Sequence, residues 1–387
     1  MIEINIMLLI LLISLIAWTF LFAGRGGFWC ANQTLSPALL SDGELPSVIA
    51  IIPARDESLT IGMAVSSLAN QSYTGKLLVI VVNDNSTDKT VDAALSAAAS
   101  VGHSKKLIVV NGAPLKSGWT GKMWAVNQGI KQAVKIDPNV DYIFLTDADI
   151  VHDSGNLSRL VSKAKKDNLH LVSLMVRLRC KSFWEKLLVP AFVFYFQKLY
   201  PFSRVNSFSR EEAAAAGGCM LVRRETLISV GGVQSIKGEV IDDCALAKLI
   251  KRKAPIWLGL ATDNTKSIRP YNNLVDFWKM VTRSAFVQLD NSIFQLVTAI
   301  SSMFLLYWVP PIGLIFGHFW TWHVSILAAL ICILMFGLYL PTLKLYKASS
   351  LWGPSIVFAG IIFTLMTLDS ARNHWLGRRS LWKGRTY

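Results

Sequence analysis

Four long apolar runs constrain the fold of this chain more than any other feature of its sequence. A helix of about 20 apolar residues is long enough to cross a bilayer. The runs cover Ile6 to Phe22, Ile293 to Phe319, Val324 to Leu340 and Ile356 to Leu368. They predict an N-terminal transmembrane anchor over residues 1–24, a C-terminal transmembrane region of about three helices over residues 291–370, and a basic tail over residues 371–387.

The flanks of the first run indicate how the chain is oriented in the membrane. Glu3 lies where a secretory signal would carry positive charge, and Arg25 follows the run. We therefore expect an uncleaved anchor whose C-terminal end is cytoplasmic. This predicts a multi-pass protein of the inner or cell membrane, with its central domain in the cytoplasm. That domain is expected over residues 47–290, because some 270 residues separate the first two runs.

The side of the membrane that the C-terminal tail occupies has two interpretations. Three C-terminal spans place the tail outside, whereas the positive-inside rule favours a cytoplasmic tail. A re-entrant or broken element around Pro310-Pro311 would reconcile the two. The basic residues of this tail are Arg372, Arg378, Arg379, Lys383 and Arg385.

The net charge of +14 is explained mainly by positive-inside bias, and part of it can attract anionic lipid headgroups and a phosphorylated donor. The basic residues are scattered and no nucleic-acid-binding motif accompanies them, so we expect no nucleic-acid partner. The five cysteines form no Cys-x-x-Cys pair, so neither a zinc site nor a disulfide framework is predicted.

Short β-branched runs alternate with helical periodicity in the first half of the central domain. We expect strands near 47–52, 77–82, 107–110 and 142–145, helices near 56–70 and 90–99, and a loop followed by a helix over 112–135. Such alternation is typical of an α/β domain with a parallel sheet covered by helices. Ligands of these sheets bind beyond the carboxyl ends of the strands, where Asp84, Asp147 and Asp149 lie. Further on, the aromatic segment 183–200 predicts an interfacial helix, with a buried core helix as the alternative.

Asp147 and Asp149 are the first candidate for chemistry. Side chains at i and i+2 of a strand point the same way, so the two carboxylates could converge on one divalent cation together with phosphate oxygens of a substrate. A polar strand-to-loop junction is the structural alternative.

Several ordered motifs resemble those of family 2 glycosyltransferases with the GT-A fold, a Rossmann-like α/β fold with a mostly parallel sheet. The whole chain most resembles the hopene-associated glycosyltransferases found with hopanoid biosynthesis genes, and it is more distantly similar to ceramide glucosyltransferase. The motifs are Ile52-Pro-Ala-Arg-Asp-Glu57, Val82-Asn-Asp-Asn-Ser-Thr-Asp88, Gly118-Trp-Thr-Gly-Lys122, Thr146-Asp-Ala-Asp149, Gly217-Gly-Cys-Met-Leu-Val-Arg-Arg-Glu225, Val230-Gly-Gly232, Ile241-Asp-Asp-Cys-Ala-Leu-Ala247 and Trp382-Lys-Gly-Arg-Thr-Tyr387.

The resemblance implies a role for each candidate residue. Asp149 with Asp147 would hold Mg²⁺ or Mn²⁺, and Asp243, beside Asp242, would be the general base of an inverting transfer. Gly217 and Gly218 would lie on the acceptor side. The donor would contact Pro53, Arg55, Glu57, Asp84, Lys122, Asp147 and either Arg269 or Arg283.

Structural alternatives stay open for these positions. Asp84 could cap a loop, Lys122 could be a solvated surface residue, and Asp243 could be a helix N-cap. The two glycines could simply form a tight turn. Trp119 and Trp124 could stack on a sugar or pack in the core.

The resemblance further implies the transfer of a sugar from a nucleotide sugar, which we expect to be a UDP-sugar, to a hydroxyl of a hopanoid or related isoprenoid lipid. Processive relatives carry a Gln/Arg-x-x-Arg-Trp signature, whereas this chain has Met280-Val-Thr-Arg-Ser284. A single transfer is therefore favoured over polymerisation. The alternatives are an inactive membrane scaffold and a lipid transport component.

Overall fold

The computed structural model describes residues 2–36 and 45–378, together with the backbone of Leu381–Trp382 and Arg385–Thr386. Arg379 and Lys383 of the predicted tail lie outside the described residues. The chain divides into two compact units. The sheet unit comprises residues 32–179, 204–270 and 380–387, and the helical unit comprises residues 1–31, 180–203 and 271–379.

The strands lie in the sheet unit. They are β1 (Val48–Ala54), β2 (Leu77–Asn83), β3 (Leu107–Asn111), β4 (Tyr142–Leu145), β5 (Ile150–His152), β6 (Leu171–Met175), β7 (Met220–Arg223), β8 (Ile256–Leu260), β9 (Thr265–Ser267), β10 (Leu381–Trp382) and β11 (Arg385–Thr386).

The α-helices are α1 (Ile2–Thr19), α2 (Ile61–Ala69), α3 (Thr90–Ser100), α4 (Gly121–Ile136), α5 (Asn156–Lys166), α6 (Phe183–Leu199), α7 (Phe202–Val205), α8 (Arg224–Ser229), α9 (Asp242–Lys251), α10 (Leu274–Thr282), α11 (Ile293–Met303), α12 (Val309–Phe316), α13 (Trp322–Leu345) and α14 (Ser355–Trp375).

Seven strands form one mixed sheet in the order β3-β2-β1-β4-β7-β6-β8. The first four strands are parallel to one another, as the alternation of strands and helices predicted. Strand β7 runs antiparallel to both β4 and β6. The expected α/β fold with a mostly parallel sheet is therefore confirmed. Strands β5 and β9 pair antiparallel in a separate small sheet, and so do β10 and β11.

Strand β1 lies in the interior of the sheet, between β2 and β4. Every one of its seven residues is buried. A strand covered on both faces needs such a continuous apolar run. Pro53 is tolerated near its end because the pairing of β1 with β4 stops at Ile51, so the missing N–H removes no bond on that side. The carboxyl ends of β1, β2 and β4 consequently open onto one edge, where the loops that carry Arg55, Asp84 and Asp147 begin.

The helical unit contains four helices long and apolar enough to cross a membrane, among the described residues. They span Ile6–Gly24, Ile293–Phe319, Trp322–Leu345 and Ser355–Trp375. The prediction of one N-terminal and about three C-terminal apolar helices is therefore confirmed. Helix α6 packs against α13 and α14 of the same unit, with Leu188, Val189 and Phe194 fully buried. An interfacial position for α6 stays a prediction.

A re-entrant or broken element around Pro310-Pro311 was one way to reconcile the two positions of the tail; the structure has instead a continuous helix there, Ile293–Phe319, with a π-helical segment at Phe304–Trp308. In i→i−5 register the two prolines leave the carbonyls of Leu305 and Leu306 without their backbone donors. Ser14 Oγ donates to the Leu305 carbonyl at 2.9 Å, and Trp18 Nε1 donates to the Leu306 carbonyl at 3.0 Å. Helix α1 thus satisfies both carbonyls, and an apolar environment makes such bonds important.

Candidate active site

The loops after β1 and β2 are tied together by hydrogen bonds. Arg55 donates to the backbone carbonyls of Asp84 at 2.7 Å and Asn85 at 3.0 Å. The Asp56 carboxylate accepts from the backbone N–H of Thr87 at 2.7 Å. Asp84 follows the last residue of β2 and is fully buried. These contacts hold Arg55 and Asp84 at the same sheet edge, where donor binding was predicted.

Asp147 and Asp149 lie in a turn rather than on a strand. Strand β4 ends at Leu145, and the backbone N–H of Ile150 donates to the carbonyl of Asp147 at 3.2 Å. The alternation of side chains along a strand therefore does not explain their proximity, which is a correction to the sequence argument. The structure gives each carboxylate its own cationic partner, Lys122 for Asp147 and Arg269 for Asp149.

Lys122 joins two acidic parts of the site. Its Nζ lies 3.0 Å from Oδ1 of Asp147 and 3.6 Å from Oδ2 of Asp242. It is the second residue of α4, and Thr120 caps that helix by accepting from the Met123 N–H. A lysine in a first turn opposes the helix dipole. The nearby carboxylates outweigh that cost, so Lys122 is a half-buried ion-pair partner rather than a solvated surface residue.

Two backbone N–H groups donate hydrogen bonds to the Asp243 carboxylate. Its Oδ2 accepts from Gly217 and its Oδ1 accepts from Cys244, each at 2.8 Å. The alternative of an N-cap is wrong, because Ile241 occupies the N-cap of α9 and no side chain caps this helix. A carboxylate held by two donors has a fixed orientation, which is what a general base needs.

Gly217 and Gly218 meet different surroundings. A Cβ at Gly217 would lie 3.0 Å from Nζ of Lys122 and 3.5 Å from Oδ2 of Asp243. A Cβ at Gly218 would lie 3.0 Å from Val176 in the apolar core. Gly217 thus allows the lysine and the acid to approach the backbone, whereas Gly218 allows close packing.

Burial and neighbouring charges shift the acid–base properties of these side chains. Burial raises the pKa of Asp243 to about 6; the charge of Asp242 raises it further and that of Lys122 opposes the rise. Partial burial also raises the pKa of Asp147, against the lowering effect of Lys122. Burial alone would lower the pKa of Lys122, but the carboxylates of Asp147, Asp242 and Asp243 reverse this and raise it. Lys122 is therefore charged at every working pH.

Arg269 organises the other side of the site. Its Nη2 lies 2.6 Å from Oε1 of Glu57, and its Nε donates to Oδ2 of Asp149 at 3.1 Å. Ser267 Oγ donates to the same Asp149 oxygen at 2.9 Å, a contact that the sequence motifs did not indicate. Of the two candidate arginines, Arg269 belongs to the sheet unit, whereas Arg283 follows α10 in the helical unit.

The tryptophans of the α4 segment pack against each other, with ring centroids 5.3 Å apart. Trp124 is 5% exposed and its indole N–H donates to the Ala113 carbonyl. Trp124 is therefore a core residue, while Trp119 remains partly exposed beside it.

The donor set suits a hard divalent cation. Mg²⁺ commonly takes one or two protein carboxylates and completes its shell with water and substrate phosphates, and Asp147 and Asp149 are two such carboxylates two residues apart in one turn. No group of three or more His, Cys, Asp or Glu side chains placed to hold a metal occurs within the described ranges. These residues therefore fit a cation shared with a diphosphate.

Comparison with known proteins agrees with this architecture. Residues 49–231, just under half of the chain, match the family described as Glycosyl transferase family 2. The chain is 35% identical over 107 residues to the probable glycosyltransferase YdaM of Bacillus subtilis (strain 168). That match covers 27% of this chain and 23% of YdaM, so it spans about a quarter of each protein.

The fold is similar to that of the mannosyltransferase PcManGT from Pyrobaculum calidifontis, described in complex with GDP-Man and Mn2+. The TM-score is 0.57 and the identity 17%, and the alignment covers 96% of this chain and 100% of that one. At this identity the likeness shows a shared fold. Together, the family match and YdaM support a glycosyltransferase.

Proposed function

We propose that this chain transfers a sugar from a nucleotide sugar to a hydroxyl of a membrane lipid, with inversion at the anomeric carbon. The match of residues 49–231 to family 2 glycosyltransferases supports this reaction. One observation carries the proposal. Lys122 joins Asp147, on the turn after β4, to Asp242 at the start of α9, and Asp243 lies beside them. The donor-side turn and the acidic pair thus belong to one cluster.

The donor would bind along the carboxyl edge of β1, β2 and β4. Asp84 and Arg55, held together after β2 and β1, are suited to the nucleoside. Lys122 supplies positive charge to the diphosphate and Arg269 is the arginine suited to assist it. Pro53 and Glu57 support this edge, because Pro53 lies in β1 and Glu57 pairs with Arg269.

Asp243 would act as the general base. The acceptor oxygen attacks the anomeric carbon while its proton moves to the Asp243 carboxylate, and the bond from that carbon to the diphosphate oxygen breaks. Two N–H donors fix the carboxylate, and a pKa near 6 makes it both ionised and basic at neutral pH. Asp242 tunes this pKa through its charge, and Gly217 places its N–H against the base.

A divalent cation, Mg²⁺ or Mn²⁺, would be held by Asp149 and Asp147. When bound, it neutralises negative charge on the departing diphosphate. The residues of the chain do the remaining work: Arg269 and Ser267 orient Asp149, and Lys122 orients Asp147.

The four apolar helices support a lipid acceptor. An enzyme anchored at both ends of its catalytic domain has direct access to a membrane-embedded hydroxyl, and the family resemblance favours a hopanoid or related isoprenoid alcohol. We place the protein in the inner or cell membrane with the domain at residues 47–290 cytoplasmic and the spans at residues 1–24 and 291–370. An inactive scaffold is disfavoured, because the acidic residues and their partners are intact.

The test is product formation by the purified full chain in detergent. The protein is incubated with UDP- and GDP-sugars, a lipid extract and either Mg²⁺ or Mn²⁺, and nucleoside diphosphate release and product mass are followed. We expect one donor to give a glycosylated lipid of inverted configuration, and Asp243→Asn to abolish it. Lipid flipping without use of any nucleotide sugar would instead support a transport protein.

A further inference from the structure

A buried histidine lies directly behind the turn that carries Asp147 and Asp149, the proposed metal-binding turn. His152 ends β5 and is 4% exposed. Its Nε2 is 3.0 Å from Oγ1 of Thr146, the residue before Asp147. Its Nδ1 is 3.0 Å from Nδ2 of Asn156 and 3.3 Å from Oγ1 of Thr265. The sequence motifs gave this residue no role.

The surrounding bonds assign the protonation of the imidazole. Thr146 Oγ1 donates its one proton to the Gly218 carbonyl at 2.8 Å, so it can only accept from His152. Nε2 therefore carries the proton, and Nδ1 accepts from the Asn156 amide. Burial lowers the pKa of His152 to about 3. The ring is consequently neutral, with a single tautomer satisfied on both sides.

This arrangement connects two parts of the active site. Thr146 leads into the turn of Asp147 and Asp149, and Gly218 adjoins Gly217, whose N–H holds Asp243. The chain of bonds runs from His152 through Thr146 to the glycine pair. Behind it, Asn156 accepts from the amide of Asn264 at 2.9 Å, which anchors His152 from a further loop.

We propose that His152 is a positioning residue that sets the spacing between the metal-binding turn and the glycine loop that orients Asp243. The inference rests on the proposed function, because it assumes that Asp147 and Asp243 act on one donor and acceptor. A side chain that only filled this space could be apolar, since the ring already packs against Phe144 at 5.2 Å. A histidine instead requires its partners to be placed on both sides.

Two conservative variants separate the roles of the two ring nitrogens. In His152→Gln, the side-chain amide reaches as far as Nε2 and can still donate to Thr146. In His152→Asn, the shorter amide retains only the contact near Nδ1. We expect His152→Gln to stay within a few-fold of the wild-type kcat. His152→Asn should lose roughly ten- to hundredfold, the cost seen when ligand-orienting partners are removed, with little change in KM for the donor.

Substitutions of Thr146 give a second, independent test of this role. Thr146→Ser keeps the hydroxyl and should retain activity, whereas Thr146→Val should lose activity as His152→Asn does. Because both changes break one chain of bonds, the double variant His152→Asn/Thr146→Val should be no worse than the poorer single variant. Leu160→Ala, a change in the fully buried core outside this chain, provides a matched control for lost stability.

Amide exchange in the ligand-free protein gives a readout that needs no turnover. The Gly217 N–H should exchange faster in His152→Asn than in the wild type or in His152→Gln. In the Leu160→Ala control, the exchange rate of the Gly217 N–H should not increase. Equal exchange and equal kcat for the glutamine and asparagine variants would overturn the inference. Absence of transfer by the wild type with every donor would instead refute the proposed function and leave the exchange result to decide on His152.

Discussion

The raised pKa of Asp243 predicts where transfer should fail as the solution becomes acidic. A general base must be unprotonated in order to accept a proton, so kcat/KM for the acceptor should fall as pH drops through the pKa of the free enzyme. Asp243 has a pKa of about 6, against an ordinary value of 3.8. We therefore expect an acidic limb centred near pH 6, with full activity above it.

The size of the effect follows from this pKa. With a pKa of about 6, about nine-tenths of the base is ionised at pH 7 and about one-tenth at pH 5, because each pH unit changes the ratio tenfold. Between these values kcat/KM should fall about tenfold. An ordinary aspartate would lose only about a twentieth of its ionised form at pH 5. Initial rates of nucleoside diphosphate release at saturating donor are sufficient to distinguish the two.

Two neighbouring substitutions should move the limb in opposite directions. Asp242 raises the pKa of Asp243 and Lys122 lowers it. Asp242→Asn should therefore shift the limb to lower pH, and Lys122→Gln should shift it to higher pH, each by of the order of one unit. Both variants are expected to be slower overall, so the position of the limb is the measurement that matters.

Three outcomes would contradict this reasoning. A limb at pH 4, as for an exposed carboxylate, would mean that Asp243 does not keep its half-buried position beside Asp242 during catalysis. Shifts of the same sign in the two variants would mean that the limb belongs to another group. Substantial turnover by Asp243→Asn would remove Asp243 from the base role altogether.

Further expectations concern the glycine pair, the π-helical segment and the metal. Gly217→Ala should lower turnover about tenfold with little change in thermal stability, because the atom nearest to the added Cβ is the end of the flexible Lys122 side chain. Gly218→Ala should instead destabilise the fold by about 1–3 kcal/mol through overpacking, and measurements of activity and thermal unfolding distinguish the two variants. Trp18→Phe should destabilise the protein by about 1–3 kcal/mol, because it leaves the Leu306 carbonyl without a donor. Unfolding in detergent measures this loss, and Ile16→Ala, on the exposed face of α1, is the control. Chelation of divalent cations should abolish turnover, and Mg²⁺ or Mn²⁺ should restore it.

Local patterns in the sequence predicted much of the fold. Each of the first four strands was expected within two residues of its observed bounds, because short β-branched runs flanked by turn residues favour buried strands. Strand β7 was not predicted, and its insertion between β4 and β6 in the opposite direction depends on long-range pairing. The π-helical segment was not predicted either, because its stability depends on Ser14 and Trp18, nearly 300 residues away.

The candidate site shows the same division. Motifs identified Asp147, Asp149 and Asp243, which the structure brings into one region of the sheet unit together with Lys122. They did not reveal that Asp147 and Asp149 have separate cationic partners, or that Asp243 is held by Gly217 instead of capping its own helix. Such pairings depend on which loops meet at the sheet edge, and no local pattern encodes them.

The ion pairs also give a physical reason to expect a divalent cation. Lys122 serves Asp147 and Asp242, and Arg269 serves Glu57 and Asp149, so two cations face four carboxylates. This cluster carries a net charge of −2 before Asp243 is counted. A diphosphate is itself an anion, and a field of the same sign opposes its approach. A divalent cation on Asp147 and Asp149 would cancel that charge, so metal removal should weaken donor binding itself and not only the chemical step. Calorimetric titration of the nucleoside diphosphate with and without Mn²⁺ measures this directly, and equal affinities would show that Lys122 and Arg269 suffice.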